Sequence, residues 1–265
     1  MRFSIVTPVM NGMPWLQDCV DSVHSQMADV DLEHLVLDAG STDGSRDWLL
    51  DHADYGFKAI LEPDEGQTDA LIRGFERATG DIFGWLNADD TLEPGALATV
   101  RDAFEANREA VMVTGACLVT DAARRVIGAL ETPPDPTLRG LLWYPPNPAQ
   151  PATFFRADAY RRAGGLDRRF DLAMDVDLWL RLAANGIICV LPNRVLARYM
   201  VHPAAKSVAG SAAAAREDLR AKRRHGSALQ SPAVLRLIRI GYLRPVLRRP
   251  KRALVRLALL LVGRR

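Results

Sequence analysis

Two adjacent carboxylates, Asp89 and Asp90, follow directly on the short apolar run Ile82 to Leu86 in the segment FGWLNADD, residues 83–90. A run of that length reads as a buried strand, and in open α/β sheets ligands gather beyond the carboxyl ends of the strands. Neighbouring acids repel unless a cation or a proton neutralises them, so a hard divalent metal, Mg2+ or Mn2+, is the natural third member. The competing reading is a capped loop ahead of the helix that Pro94 opens. Asp38 ends a second apolar run, Leu35 to Leu37, and Asp43 lies in the turn that follows. A carboxylate at Asp38 could accept the imide N–H of uracil or thymine, or cap the turn at Ser41; Asp43-Gly44 has the same ambiguity, since Asp-Gly is a common turn pair. Asp175 stands at the start of an apolar-periodic segment, the place of an N-cap.

These acids need a scaffold, and the chain supplies one in order. Phe3 to Thr7 is strand-like and is broken by Pro8, Asn11, Gly12 and Pro14 before an amphipathic helix from Trp15 to Ser25. A helix through Trp48 and Leu50, a strand from Ala59 to Leu61 and a helix from Thr68 to Ala78 precede the strand that carries the paired acids. Strand alternating with helix predicts a mostly parallel α/β sheet with helices on both faces. Asp38, Asp89 and Asp90 then open onto one edge. Further on, a helix from Pro94 to Asn107, strands at Val111 to Thr120, Thr153 to Phe155 and Ile187 to Leu191, and a helix from Val176 to Ala184 are expected. Seven prolines make residues 132–151 an irregular loop, long enough to lie over a site.

With 265 residues, 48% of them hydrophobic, the chain can bury one substantial core. Cys19, Cys117 and Cys189 are odd in number and far apart, which predicts free thiols and no zinc site. Met1 and Arg2 run straight into the first strand without the apolar core of a signal peptide, so a cytoplasmic body is expected. Beyond Asp218 there are 14 basic residues and no acidic one, against 20 basic and 32 acidic residues before Leu219. A basic tail of that kind seeks a polyanion.

The segments SIVTPVMNG (4–12), LVLDAGSTDGS (35–45), EPDEGQTDALIRGFERATGD (62–81), FGWLNADD (83–90) and QPATFFRADAYRRAGGLDRRFDLAMDVDLWLRLAANG (150–186) occur together in order. In this, residues 1–202 resemble family 2 glycosyltransferases, with the GT-A nucleotide-sugar fold, and most of all the bacterial enzymes of exopolysaccharide, lipopolysaccharide or capsule synthesis. The resemblance implies that Thr7 and Pro8 line the nucleotide pocket, that Asp38 reads the base and that Asp43 helps hold the nucleoside. It implies Asp90 as the direct metal ligand and Asp89 nearer the sugar or ribose, with asparagine at position 87 where the family's motif has its first acid. Asp175 becomes the general base for the acceptor hydroxyl, with Asp177 behind it and Met174 in place of a common preceding acid. His202 joins the metal or diphosphate set, and Asp64, Gln67 and Asp69 become candidates for nucleotide or ribose contact, with Thr68 as the capping alternative.

The reading is therefore an inverting, Mn2+- or Mg2+-dependent transferase domain over residues 1–210, taking a nucleotide-diphosphate sugar, UDP-linked by preference, to a saccharide or lipid-linked saccharide. Residues 211–265 are read as a basic amphipathic extension whose helices place the protein on the inner face of the cell membrane through anionic headgroups. The run Ala253 to Val262 falls short of the roughly 20 residues needed to span a bilayer. Packing of the tail on the acidic body, with a homodimer contact, is the alternative; nucleic acid is disfavoured because Tyr242 alone offers stacking. A nucleotidyltransferase is disfavoured because the first strand leads into PVMNGMPW and not into a long Gly-rich loop. A scaffold without turnover would leave the four strand-end and helix-end acids unexplained.

Overall fold

The computed structural model describes residues 1–203, 205–206 and 211–226. Its centre is β1 (Arg2–Val9), whose residues Phe3 to Thr7 are all buried, as expected of a strand covered on both faces. On one side β1 pairs in parallel with β2 (Asp31–Asp38), which in turn pairs with β3 (Lys58–Ile60). On the other it pairs in parallel with β4 (Ile82–Trp85), with Val6 opposite Trp85. Beyond β4 the sheet changes direction: β8 (Thr153–Arg156) runs antiparallel to β4 and to β6 (Ala110–Thr120). β6 is then joined in parallel by β9 (Ile187–Met200), on whose far edge lies the short β5 (Thr91–Leu92). The sequence predicts a strand over Ile187 to Leu191; β9 runs on to Met200, with its pairing shifted between Leu191 and Val195.

Side-chain alternation along these strands feeds two cores. Val6, Phe83, Trp85 and Phe155 point to one face, covered by α3 (Gln67–Arg77), α6 (Ala157–Arg162) and α7 (Met174–Asn185). Phe3, Ile5, Ile82 and Phe154 point to the other, covered by α1 (Leu16–His24) and α4 (Ala96–Ala106), while α2 (Ser45–Asp51) packs nearby through Leu49. Gly74 explains how α3 sits so low on the sheet, since a Cβ there would meet Val6 Cγ1 at 2.5 Å. On the same face the indoles of Trp85 and Trp179 stack with centroids 5.5 Å apart and planes at 23°, amid Phe75 and Phe155.

Two segments depart from expectation. The Pro-rich stretch is not wholly irregular: it contains α5 (Leu138–Trp143), capped by the Thr137 hydroxyl, and a 3-10 turn over Gln150–Ala152. β7 (Val126–Leu130), which periodicity did not reveal, forms a hairpin with β6 and is exposed along its length. At the start of the basic extension, α8 (Ser211–Arg224) lies against the body, with Ala221 and Lys222 buried. The tail beyond residue 226, with its expected interfacial helices, lies outside the described residues. Trp179→Ala should destabilise the fold by about 3–5 kcal/mol through loss of the stacked indole, measured as a lowered urea midpoint; a wild-type midpoint would refute the stack as the tie between α7 and β4.

Candidate active site

Two cavities open at the carboxyl ends of β1 and β4. The first, of about 540 Å3, is bounded by the turn from Pro8 to Gly12, Trp15, Asp64 and His202. The second, of about 400 Å3, is bounded by Trp85, Gln150, Asp171, Asp175 and Tyr199. Gln67, Asn87, Asp89, Ala205 and Lys206 belong to both. The two cavities are thus neighbours sharing one polar edge.

That edge is a chain of side-chain amides. Gln67 Nε2 donates to Asn87 Oδ1 at 2.7 Å, and Asn87 Nδ2 donates to Gln150 Oε1 at 3.3 Å and to Asp90 Oδ2 at 3.2 Å. Gln150 Nε2 donates in turn to the Trp85 carbonyl at 2.6 Å. An amide serves at position 87 because it can donate to one neighbour and accept from another, which a carboxylate cannot.

The paired acids differ in exposure, and the one expected to be the direct metal ligand, Asp90, is the one that does not border either cavity. Asp90 is wholly buried, its Oδ1 accepting from the Met200 N–H at 2.9 Å and its Oδ2 held by Asn87. Burial and the neighbouring charge of Asp89 push its carboxyl well above the usual range. It is Asp89 that faces both cavities, with Oδ2 lying 3.0 Å from His202 Nε2. The His202 ring rests on Trp15, centroids 4.4 Å apart, and the Asp89 carbonyl is fixed at 2.7 Å by Arg124 from the β6–β7 turn. A carboxylate oxygen and an imidazole nitrogen at that separation suit a divalent cation such as Mn2+. Among the described residues no cluster of three or more His, Cys, Asp or Glu side chains that could hold a metal occurs; Asp89 and His202 form a pair only.

Several acids assigned to the nucleotide are spent on the fold. Thr7 is buried, and its hydroxyl lies 2.9 Å from His34 Nε2, an imidazole that burial pushes down to about 3; it does not line the pocket, whereas Pro8 does. Asp38 takes the capping alternative, accepting from the N–H groups of Gly40 and Ser41. Asp43 accepts from Met13 N–H at 2.8 Å and from Ser45, and so ties the turn after β1 to α2; burial would raise its pKa, but these bonds outweigh it and hold it low. Asp69 is buried between Arg73 and Arg168 and joins α3 to the turn before α7. Asp64, by contrast, borders the first cavity.

Asp175 borders the second cavity at the first turn of α7. Its Oδ1 accepts from Val176 N–H at 2.8 Å, and burial, aided by the charge of Asp218, pushes the carboxyl up to about 6. Asp177 turns away into an ion pair with Arg181 at 2.8 Å. Residues that the site uses and sequence reasoning did not single out are Gln150, Lys206 and Trp15. The only signal for Gln150 was its place at the end of the Pro-rich stretch, beside Thr153 to Phe155.

The family model for Glycosyl transferase family 2 matches residues 4–157. The chain belongs to that family. A PGL/p-HBAD biosynthesis glycosyltransferase of Mycobacterium tuberculosis is 29% identical over 187 residues, 69% of this chain and 70% of the relative. A glycosyltransferase of Nostoc sp. is 33% identical over 108 residues, 40% of this chain and only 33% of the relative. Among solved structures, S. aureus TarS 1-349 in complex with UDP-GlcNAc superposes with a TM-score of 0.67 at 15% identity, over 91% of this chain and 71% of that one. The mannosyltransferase PcManGT from Pyrobaculum calidifontis, in complex with GDP-Man and Mn2+, gives 0.66 at 20% identity over 98% and 75%. The fold of this family 2 chain is accordingly GT-A.

Proposed function

We propose that this glycosyltransferase moves a sugar from a nucleotide-diphosphate donor, UDP-linked by preference, to a hydroxyl of a saccharide or lipid-linked saccharide, with inversion. The observation that carries this reading is the shared edge: His202 stands on one side, Asp175 on the other, with Asp89, Gln67 and Asn87 between. The nucleotide belongs in the first cavity, against Pro8 and Trp15, and the reacting sugar at the edge. Mn2+ or Mg2+ would be held by Asp89 and His202 and, when bound, supplies positive charge to the departing diphosphate. Lys206 borders both cavities and can add its own charge to the same oxygens.

A sugar hydroxyl is a poor nucleophile until a base takes its proton as the new bond forms. Asp175 lies where an acceptor in the second cavity would present that hydroxyl, and a carboxylate with a pKa of about 6 is both ionised at neutral pH and basic enough to be useful. Attack from this side, opposite a leaving group held at the first cavity, inverts the anomeric centre. The relatives support an envelope acceptor: one is named for PGL/p-HBAD biosynthesis and another, RfbC of Myxococcus xanthus, for O-antigen biosynthesis.

Membrane contact is part of the proposal. Among the described residues no helix is long and apolar enough to cross a membrane. α8, however, turns Glu217 and Asp218 towards the body while Arg216, Arg220 and Arg223 are exposed. The sequence then continues with ten more basic residues and no acid. Such a face suits anionic headgroups at a bilayer surface.

Three outcomes test this reading. Calorimetric titration with UDP, GDP, dTDP and CDP should show one nucleotide binding in Mn2+ and not in EDTA, and His202→Ala should lose the Mn2+-dependent part; no binding by folded protein would favour the scaffold. Asp175→Asn should lower transfer by about 10²–10⁴-fold with nucleotide binding intact, and wild-type kcat/KM should fall as pH drops through about 6, where Asp175 takes up its proton. Removal of residues 230–265 together with charge reversal of Arg216, Arg220 and Arg223 should release the protein from phosphatidylglycerol vesicles; retention would refute the membrane face.

A further inference from the structure

The turn that delivers Asp175 is not closed by its own residues. α7 starts at Met174, and Ala173 before it provides no side-chain cap. Closure comes from α8. Glu217 Oε2 accepts from three successive backbone N–H groups, those of Asp171 at 2.9 Å, Leu172 at 2.7 Å and Ala173 at 3.1 Å. Consecutive N–H groups converging in this way form a nest for an anion, and hydrogen bonds to an ionised acceptor are roughly twice as strong as neutral ones.

A second contact lies two helical turns further along the same face of α8. Arg224 Nη1 reaches Asp167 Oδ2 at 2.8 Å and Asp177 Oδ1 at 3.3 Å. Its guanidinium also lies over the Phe170 ring, 4.6 Å from the centroid. Between the two contacts sits Ala221, fully buried and small enough for α8 to approach the body closely. α8 therefore holds the backbone just ahead of Asp175 and the side chain of Asp177 just after it.

Asp171 and Leu172 border the same cavity as Asp175, so the turn that Glu217 closes is a wall of the acceptor side. We infer that Glu217 and Arg224 are positioning residues for Asp175, clamping the segment 171–177 so that the carboxyl stays in place and partly shielded from water. The inference rests on Asp175 as the base. The other charges around it are already paired: Asp218 with Lys222 at 3.1 Å, Asp177 with Arg181 and Arg224, and Asp171 with Lys206 at 2.6 Å. Opening the turn would therefore act on Asp175 first by admitting water and second by moving α8, and with it the charge of Asp218, away; both lower the pKa of the carboxyl.

The test is a 13C NMR titration of the Asp175 carboxyl in the full chain, assigned with Asp175→Asn, alongside amide hydrogen exchange. In Glu217→Ala the transition should move from about 6 down towards the ordinary value of about 4. Exchange should quicken at Leu172 and Ala173 and stay unchanged in β1 and β4. Glu217→Gln keeps an acceptor oxygen and should restore most of both. A transition that stays near its wild-type value in Glu217→Ala overturns the clamp. A wild-type transition already near the ordinary value overturns it differently, by removing the tuned base on which it rests. If Glu217→Ala loses protection throughout the sheet, Arg224→Met takes its place, with the same shift expected and its absence equally fatal.

Discussion

Stacking of Trp85 on Trp179 is the contact on which the geometry of the site depends. Trp85 ends β4, four residues before Asp89, and Trp179 lies one helical turn after Asp175. The two halves of the chemistry arrive on separate elements, one on a strand of the parallel half of the sheet and one on a helix beyond its antiparallel half. Their relative position is set where those elements touch, and there the touching surfaces are flat, rigid and buried. Among the described residues neither indole N–H has a hydrogen-bond partner. The contact is made of aromatic surface, with Phe75, Phe83, Phe155 and Tyr160 packed around the pair.

Charge is managed on the same economy of position. Of the two adjacent acids only Asp89 is left to face the cavities, because Asp90 is folded under it and bonded to the backbone of β9 through Met200. Asn87 then connects Asp90, Gln67 and Gln150 without adding a third negative charge to the strand end. The strand end thus combines one available carboxylate, one buried carboxyl and a neutral amide relay, and His202 approaches only the first.

Much of this was legible in the sequence, and what was not has a physical reason. Short apolar runs ending in acids gave the parallel half of the sheet and the edge on which the site lies. Asp175 and His202 join Asp89 only through the resemblance to family 2, since the residues alone read Asp175 as an N-cap. What composition cannot separate is an acid that caps a turn from one that meets a ligand, since both are carboxylates beside Gly and Ser. Asp38 and Asp43 therefore read as nucleotide contacts and turned out to hold loops, and Asp69 is consumed by two arginines that lie far apart in the chain. The order of Asp89 and Asp90 depends on which one meets the Met200 amide, a partner 110 residues away. β7 was hidden because an exposed edge strand lacks alternation, and the docking of α8 because Glu217, Ala221 and Arg224, which meet the body, do not form an apolar stripe.

The wall of the second cavity has a consequence for how such a protein diversifies. Asn147 to Pro151 supply that wall from a Pro-rich segment, and Gln150 fastens it to the carbonyl of Trp85 and the amide of Asn87. Sequence drift at the neighbours of Gln150 reshapes the chamber while the anchor, and with it the polar edge, stays as it is. The two cavities are thereby separable in what a substitution can change: the Pro-rich wall alters the second and leaves the turn from Pro8 to Gly12, which bounds the first, untouched.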